Sequence, residues 1–348
     1  MKIDELLKFA VREGASDIHF VAGCEPLIRI DGNLVRLEKF NMREDKKEME
    51  AIILNMMTAD EQEQFKQEKE LDISYEIKDV ARFRVNYYYE RDTVGMAARI
   101  ISSVIPSMED LMMPNVIKGM LEKSHGLILV TGATGSGKST SLASMVEYIN
   151  NNFAKRIVTI EDPIEYIYKS NKSFISQRQL GEDTHSFSEA LKHVFRQDPD
   201  VIMVGEMRDL ETIATTITLA ETGHLVLSTL HTHTAAQTID RIIDVFPPYQ
   251  QQQIRLQLSM TLSGIVSQRL LSRADGGRIA NWEVLINTIP VANTIRENKV
   301  AQIQTIIQTS SQEGMLTADQ DLEHLVSNGL ITEDTFNFYY NGSSRKKK

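Results

Sequence analysis

Nine consecutive residues, Gly132-Ala133-Thr134-Gly135-Ser136-Gly137-Lys138-Ser139-Thr140, have the types and spacing to hold a polyphosphate. Gly132, Gly137, Lys138 and Ser139 fill the fixed positions of G-x-x-x-x-G-K-[ST]. Glycine lets a short loop turn its backbone N–H groups inward onto phosphate oxygens. A helix starting there adds the positive end of its dipole. In such a loop the lysine reaches the β- and γ-phosphates and the serine hydroxyl sits on Mg²⁺. The chemistry expected is binding and hydrolysis of ATP with magnesium.

The elements that position this loop are readable on either side of it. An apolar run, Leu127 to Val130, precedes it, and a helix is expected over Ser141 to Asn150. Further near-continuous apolar runs lie at Arg156–Ile160, Val201–Val204 and Leu225–Leu230. Runs of this kind mark parallel strands buried on both faces. Helices are expected between them. One opens at Ser186 with Glu189 as a capping box, and one runs from Leu210 to Glu221 and stops near Gly223. After Pro247-Pro248 the pattern reads as helical through Gln268. A strand follows at Ile279–Ile286, then three or four helices, one opened by Thr317 with Gln320.

In an open parallel sheet, ligands bind at the carboxyl edge. All four strands end there in residues suited to nucleotide chemistry: the loop itself, Glu161-Asp162-Pro163-Ile164-Glu165, Gly205-Glu206, and Thr229 to His233. Glu206 is the expected general base, following a strand expected beside the loop strand and orienting a water for in-line attack. Asp is the usual residue before such a base, and here it is Gly205. The carboxylate contact to magnesium is therefore expected from Glu161, with Asp162 or Glu165 as substitutes. His224 and His231 are expected to contact the γ-phosphate or to couple it to a subunit edge. His231 and His233 alternate, which disfavours a two-histidine metal site.

The first 98 residues read as a small α/β domain. An amphipathic helix, Leu6 to Val11, leads into a hairpin around Asp31-Gly32-Asn33. Residues 44–70 read as one or two helices with Ile52, Ile53, Met56 and Met57 facing the core. Strands follow at Leu71–Ile77, Arg82–Asn86 and Thr93–Ile101, with Arg82 and Arg84 on one face. Residues 99–112 are read as a linker, residues 113–348 as the nucleotide domain, and Ser343–Lys348 as a basic tail.

Composition narrows the class. The net charge of −10 argues against a general nucleic-acid binder, which needs Lys and Arg to neutralise phosphates. Cys24 is the single cysteine, so no intrachain disulfide or cysteine zinc site is expected. The start of the chain lacks the apolar core of a signal peptide, and no apolar run is long enough to span a bilayer. A cytoplasmic protein is expected. The rival readings are a RecA-like nucleic-acid translocase and a P-loop kinase.

Taken together, these residues resemble the PilT family, the type IV pilus retraction ATPases of the secretion and pilus-assembly ATPase superfamily. Gly132–Thr140 is similar to its Walker A, Thr159–Glu165 to its Asp box, and Asp198–Asp209 to its Walker B, including glycine at 205. Thr222-Gly223-His224 through His231 and on to Arg241 is similar to its His box, and Ala15-Ser16-Asp17-Ile18-His19 is also typical. The resemblance runs over nearly all of the chain. It implies a PAS-like N-terminal α+β domain, a RecA-like ATPase domain and a homohexameric ring. Nucleotide would bind between the domains, with Arg82, Arg84 and Arg99 as charge-stabilising residues and Arg196 and Arg208 as lesser ones. It also implies an inner-membrane pilus platform protein as partner, and a place at the inner face of the cytoplasmic membrane. The absence of a four-cysteine zinc module favours retraction over assembly or type II secretion. Of the family's C-terminal Ala-Ile-Arg-Asn-Leu-Ile-Arg-Glu motif, only Ile295-Arg296-Glu297 matches clearly, which leaves a PilU-like accessory retraction motor as the alternative.

Overall fold

The computed structural model describes residues 3–21, 24–30, 32–38, 40, 46–78, 80–101 and 104–340. The chain divides into two compact units, one ending at Val104 and the next beginning at Ile105.

The first unit runs α1 (Ile3–Arg12), β1 (Asp17–Val21), β2 (Leu27–Ile30), β3 (Asn33–Arg36), α2 (Lys46–Leu54), α3 (Ala59–Glu68), β4 (Glu70–Ile77), β5 (Ala81–Glu90) and β6 (Thr93–Ile101). The strands form a six-stranded sheet of order β3-β2-β1-β6-β5-β4, antiparallel throughout. This is the α+β arrangement expected. Ile3, Leu6, Leu7 and Ala10 recur at helical spacing on α1 and are buried. They join Ile18, Phe20, Ile28, Phe83, Val85, Met96 and Ala98 from the sheet, with Ile53 and Phe65 from α2 and α3. Met57 is buried in this core and Met56 packs against it. The Asp31 turn residue lies outside the described residues, but Ile30 pairs with Asn33 as a hairpin requires. Strand β6 extends to Ile101, so residues 99–101 belong to the sheet rather than to a linker. The tail at 343–348 lies outside the described residues.

The second unit runs α4 (Val116–Leu121), β7 (Gly126–Thr131), α5 (Lys138–Asn152), β8 (Arg156–Glu161), β9 (Phe174–Gln179), α6 (Phe187–Val194), β10 (Val201–Val204), α7 (Leu210–Glu221), β11 (Leu225–Leu230), α8 (Ala235–Asp244), α9 (Pro248–Thr261), β12 (Leu262–Ser272), β13 (Arg278–Ile286), α10 (Ile289–Arg296), α11 (Ile303–Thr309), α12 (Ala318–Ser327) and α13 (Glu333–Tyr339). Its seven-stranded sheet has the order β13-β12-β7-β11-β10-β8-β9. All neighbours are parallel except the β12–β13 pair.

Every residue of β7, β10 and β11 is buried. Alternation sends Leu127 and Leu129 into one core, shared with residues of α6 to α11. It sends Ile128 and Val130 into the other, shared with residues of α4 and α5. Ser186 caps α6 by accepting from the Glu189 N–H at 3.1 Å, and Thr317 with Gln320 forms the full capping box of α12. The run through Gln268 is a correction. The helix α9 stops at Thr261, and residues from Leu262 onward form β12, because they pair with both β7 and β13.

Candidate functional site

The phosphate loop connects β7 to α5, and α5 begins at Lys138, three residues before the Ser141 expected from sequence. Its geometry requires glycine at two of the fixed positions. Gly132 has φ of 152°, and a Cβ there would lie 2.3 Å from the Gln268 carbonyl oxygen. Gly137 has φ of 87° and stands at the helix N-cap. Lys138 folds back across the loop, and its Nζ donates to the carbonyls of Gly132 and Ala133, both at 2.9 Å. Burial lowers its pKa, while the carboxylates of Glu206 and Glu165 act in the opposite sense. Both acids thus share the field of the lysine.

Strand order differs from expectation in one respect that matters. The strand leading to Glu206, β10, does not lie beside β7; β11 lies between them. That intervening strand ends at Leu230 and delivers His231 into the gap. His231 Nδ1 lies 3.3 Å from the Thr134 hydroxyl of the loop. Its Nε2 lies 3.4 Å from Glu206 Oε2. With the proton on Nε2, the imidazole donates to Glu206 and accepts from Thr134. Arg208 pairs with the other Glu206 oxygen. The carboxylate is only 12% exposed, so these partners define its orientation.

Gly205 now has a physical reason. A Cβ on it would meet the Ile160 carbonyl at 3.3 Å and the Glu161 Cα at 3.4 Å. An aspartate side chain would press on the backbone of β8. The carboxylate beside Gly205 comes instead from Glu161, at the end of that strand. Burial pushes the Glu161 carboxyl up to about 7, against hydrogen bonds from Thr159 and Gln177 that pull it down. Thr159 Oγ1 donates at 2.7 Å and Gln177 Nε2 at 3.1 Å, both to Oε1. Among the described residues no three His, Cys, Asp or Glu gather as a metal cage. Magnesium is commonly held by one or two protein oxygens together with nucleotide phosphates. The Ser139 hydroxyl and the Glu161 carboxylate are the oxygens expected from sequence to serve magnesium.

His224 is not brought to the loop of its own chain. It precedes β11, at the end opposite His231, and a six-residue strand of roughly 20 Å separates them. Its Nδ1 faces the Leu219 carbonyl at 3.0 Å, and its ring meets Phe195 edge to face. Both partners are structural. Arg82, Arg84 and Arg99 lie together on one face of the first unit's sheet. Arg84 and Arg99 are cross-strand partners, and Arg82 is two residues along β5. Arg99 Nε pairs with Asp17 at 2.8 Å, Arg84 with Asp72 at 3.8 Å, and Arg82 Nε donates to the Ser74 hydroxyl at 2.5 Å.

Sequence reasoning missed two supports. Thr229 Oγ1 donates to the Gly205 carbonyl at 2.6 Å, fixing the turn into Glu206. Gln268 Nε2 donates to the Ser136 carbonyl at 2.6 Å from below the loop. The available signal was a polar Ser-Gln-Arg triplet inside an otherwise apolar stretch.

A glycine-rich loop at the carboxyl edge of a largely parallel sheet, with an acid at the end of another strand of that sheet, defines a RecA-like P-loop protein carrying an added N-terminal α+β unit. Residues 1–314 match the model of the type II/IV secretion system protein family, and the chain belongs to that family. It is 46% identical over 334 residues to the type IV pilus retraction ATPase PilT of Pseudomonas aeruginosa, covering 96% of each chain. It is 39% identical over 333 residues to the type IV pilus ATPase PilU of the same organism, covering 95% of this chain and 87% of the relative. The structure is similar to a crystal structure of the pilus retraction motor PilT with bound ADP. The TM-score is 0.89 at 45% identity, covering 97% of this chain and 96% of the other.

Proposed function

We propose that this chain is an ATP-hydrolysing motor that powers type IV pilus retraction. The observation that carries the reading is the contact chain from Thr134 of the loop through His231 to Glu206. It joins a phosphate-binding element to a base in one site, in a chain that matches a retraction ATPase from end to end. In this reading the loop amides and Lys138 bind the phosphates. The Lys138 ammonium is disfavoured by burial, and phosphate oxygens compensate it better than two carbonyls do. Ser139 and Glu161 would hold magnesium, which supplies charge neutralisation at the phosphates. Glu206 orients water for in-line attack and takes its proton, while His231 and Arg208 set its direction. Arg82, Arg84 and Arg99 are the candidate charge-stabilising residues of this reading. The working form is a homohexamer at the inner face of the cytoplasmic membrane, acting on a membrane-embedded platform protein. No described helix is long and apolar enough to cross a membrane. Greater identity to PilT than to PilU favours the main motor over the accessory one.

Phosphate release by the purified chain tests the site. Lys138→Ala abolishes nucleotide binding or turnover. Glu206→Gln retains ATP binding but loses roughly 10²- to 10⁴-fold in hydrolysis, the usual worth of a positioned base. Normal turnover by Glu206→Gln would remove Glu206 from the role. Phosphate release without any acceptor also separates this reading from a kinase.

A further inference from the structure

We infer that Gln268 is a positioning residue for nucleotide binding, because its side-chain amide fixes the direction of the Gly137 N–H in the phosphate loop. The inference rests on the nucleotide reading of that loop and names a part of the machine outside the loop motif itself. Gln268 lies on β12, which flanks β7 and runs past it: Ser267 pairs with Thr131, the last residue of β7. Gln268 therefore stands beside the first turn of the loop. Its backbone carbonyl abuts Gly132, where a Cβ would come within 2.3 Å. Its side chain reaches under the far end of the loop, where Nε2 donates to Ser136 O at 2.6 Å. A Cβ on Gly137 would lie 3.2 Å from that same nitrogen. One residue thus grips the loop at both ends.

The consequence follows from peptide geometry. The Ser136 carbonyl and the Gly137 N–H belong to one planar trans peptide and point in opposite directions. Anchoring the carbonyl downward on Gln268 turns the Gly137 N–H upward, into the hollow of the loop where phosphate is read by backbone amides. Gly137 has the conformational freedom to let this peptide rotate, so an anchor is required. Gln268 is 5% exposed. Its Oε1 and the Ser136 hydroxyl have no hydrogen-bond partner among the described residues. The single amide bond is therefore what Gln268 contributes to the loop through its side chain. Below it, Thr131 Oγ1 donates to Ser267 Oγ at 2.9 Å, which ties the two strands at the level where the loop leaves.

The test compares full-length wild type with Gln268→Met, which keeps length but has no donor, and Gln268→Glu, which keeps size and polarity but puts an oxygen against the Ser136 carbonyl. ADP affinity, KM for ATP, kcat and melting temperature without nucleotide are measured for each. Loss of one phosphate-directed amide predicts a roughly 3- to 10-fold rise in both ADP Kd and KM, with kcat within about two-fold and melting lowered by no more than several degrees. A damaged fold would instead lower kcat through a smaller active fraction at constant KM. Wild-type ADP affinity in Gln268→Met, or a fall in kcat at constant KM in both variants, would overturn the inference. Lys138→Ala is the control. If it loses ADP while both Gln268 variants keep it, Gln268 alone is misassigned. If wild type itself binds no ADP, the nucleotide reading fails with it.

Discussion

Glu161 is the carboxylate whose behaviour says most about the site. It is buried, and its hydrogen-bond partners Thr159 and Gln177 are uncharged. Desolvation pushes its carboxyl from 4.5 to about 7, and the Thr159 and Gln177 bonds recover only part of that cost. A carboxyl with a raised folded pKa binds more protons in the fold than in the unfolded chain. It therefore lowers stability as pH rises from about 4.5 to about 7. Replacing Glu161 with Gln removes that charge and keeps the shape. In the absence of nucleotide and magnesium, Glu161→Gln should melt close to wild type near pH 5 and above it near pH 8. The gap should be about 2–4 °C for each kcal/mol relieved. A gap that is equal at both pH values, or reversed, would show that Glu161 is not held in this way. In the proposed reading, a divalent cation held by Glu161 would supply positive charge to this buried carboxylate. The loop, Glu206 and His231 were legible from sequence, because each sits at the end of an apolar run whose direction is readable. Gln268 was not, because its partner Ser136 is 132 residues away and the contact exists only once β12 lies beside β7.

In the second unit two strands were hidden in the sequence, for different reasons. The edge strand β9 is Phe-Ile-Ser-Gln-Arg-Gln, and none of its first five residues is fully buried. It carries no apolar run, and only pairing with β8 makes it a strand. β12 follows directly on α9, so the helical reading ran on past Thr261 into residues whose fate is set by tertiary contacts. Gly264 is the position at which those contacts are tightest. A Cβ there would lie 2.4 Å from Met120 Sδ and 2.6 Å from the Leu285 carbonyl. The sulfur can move, but the β13 backbone cannot without losing ladder bonds. Gly264→Ala should cost about 1–3 kcal/mol in urea unfolding. It should also weaken ADP binding, since β12 carries Gln268. Unchanged stability would mean that β12 and β13 are less closely packed than described. The parallel strands β7, β8, β10 and β11 were legible within a residue or so, because burial on both faces leaves an unbroken apolar signature. Their order was not, because sequence does not say which strand lies next to which. The intrusion of β11 between β7 and β10 is what gives His231 its bridging position.

At the scale of the whole chain, the proposed work is divided between its two units. The loop, base and magnesium ligands belong to the second, and the arginine face belongs to the first. The −10 net charge is compatible with the proposed reading, in which the partners are proteins. Matches covering 96% of both chains mean that the comparison with PilT concerns the full motor and not a shared nucleotide module. The central claim is that hydrolysis organised by Glu206 drives pilus retraction. The most direct measurement places Glu206→Gln at the native locus of the host, then counts surface pili and scores twitching against wild type. The account predicts more surface pili with twitching lost, because assembly continues while withdrawal stops. Cells without pili would contradict it and make this chain an assembly motor.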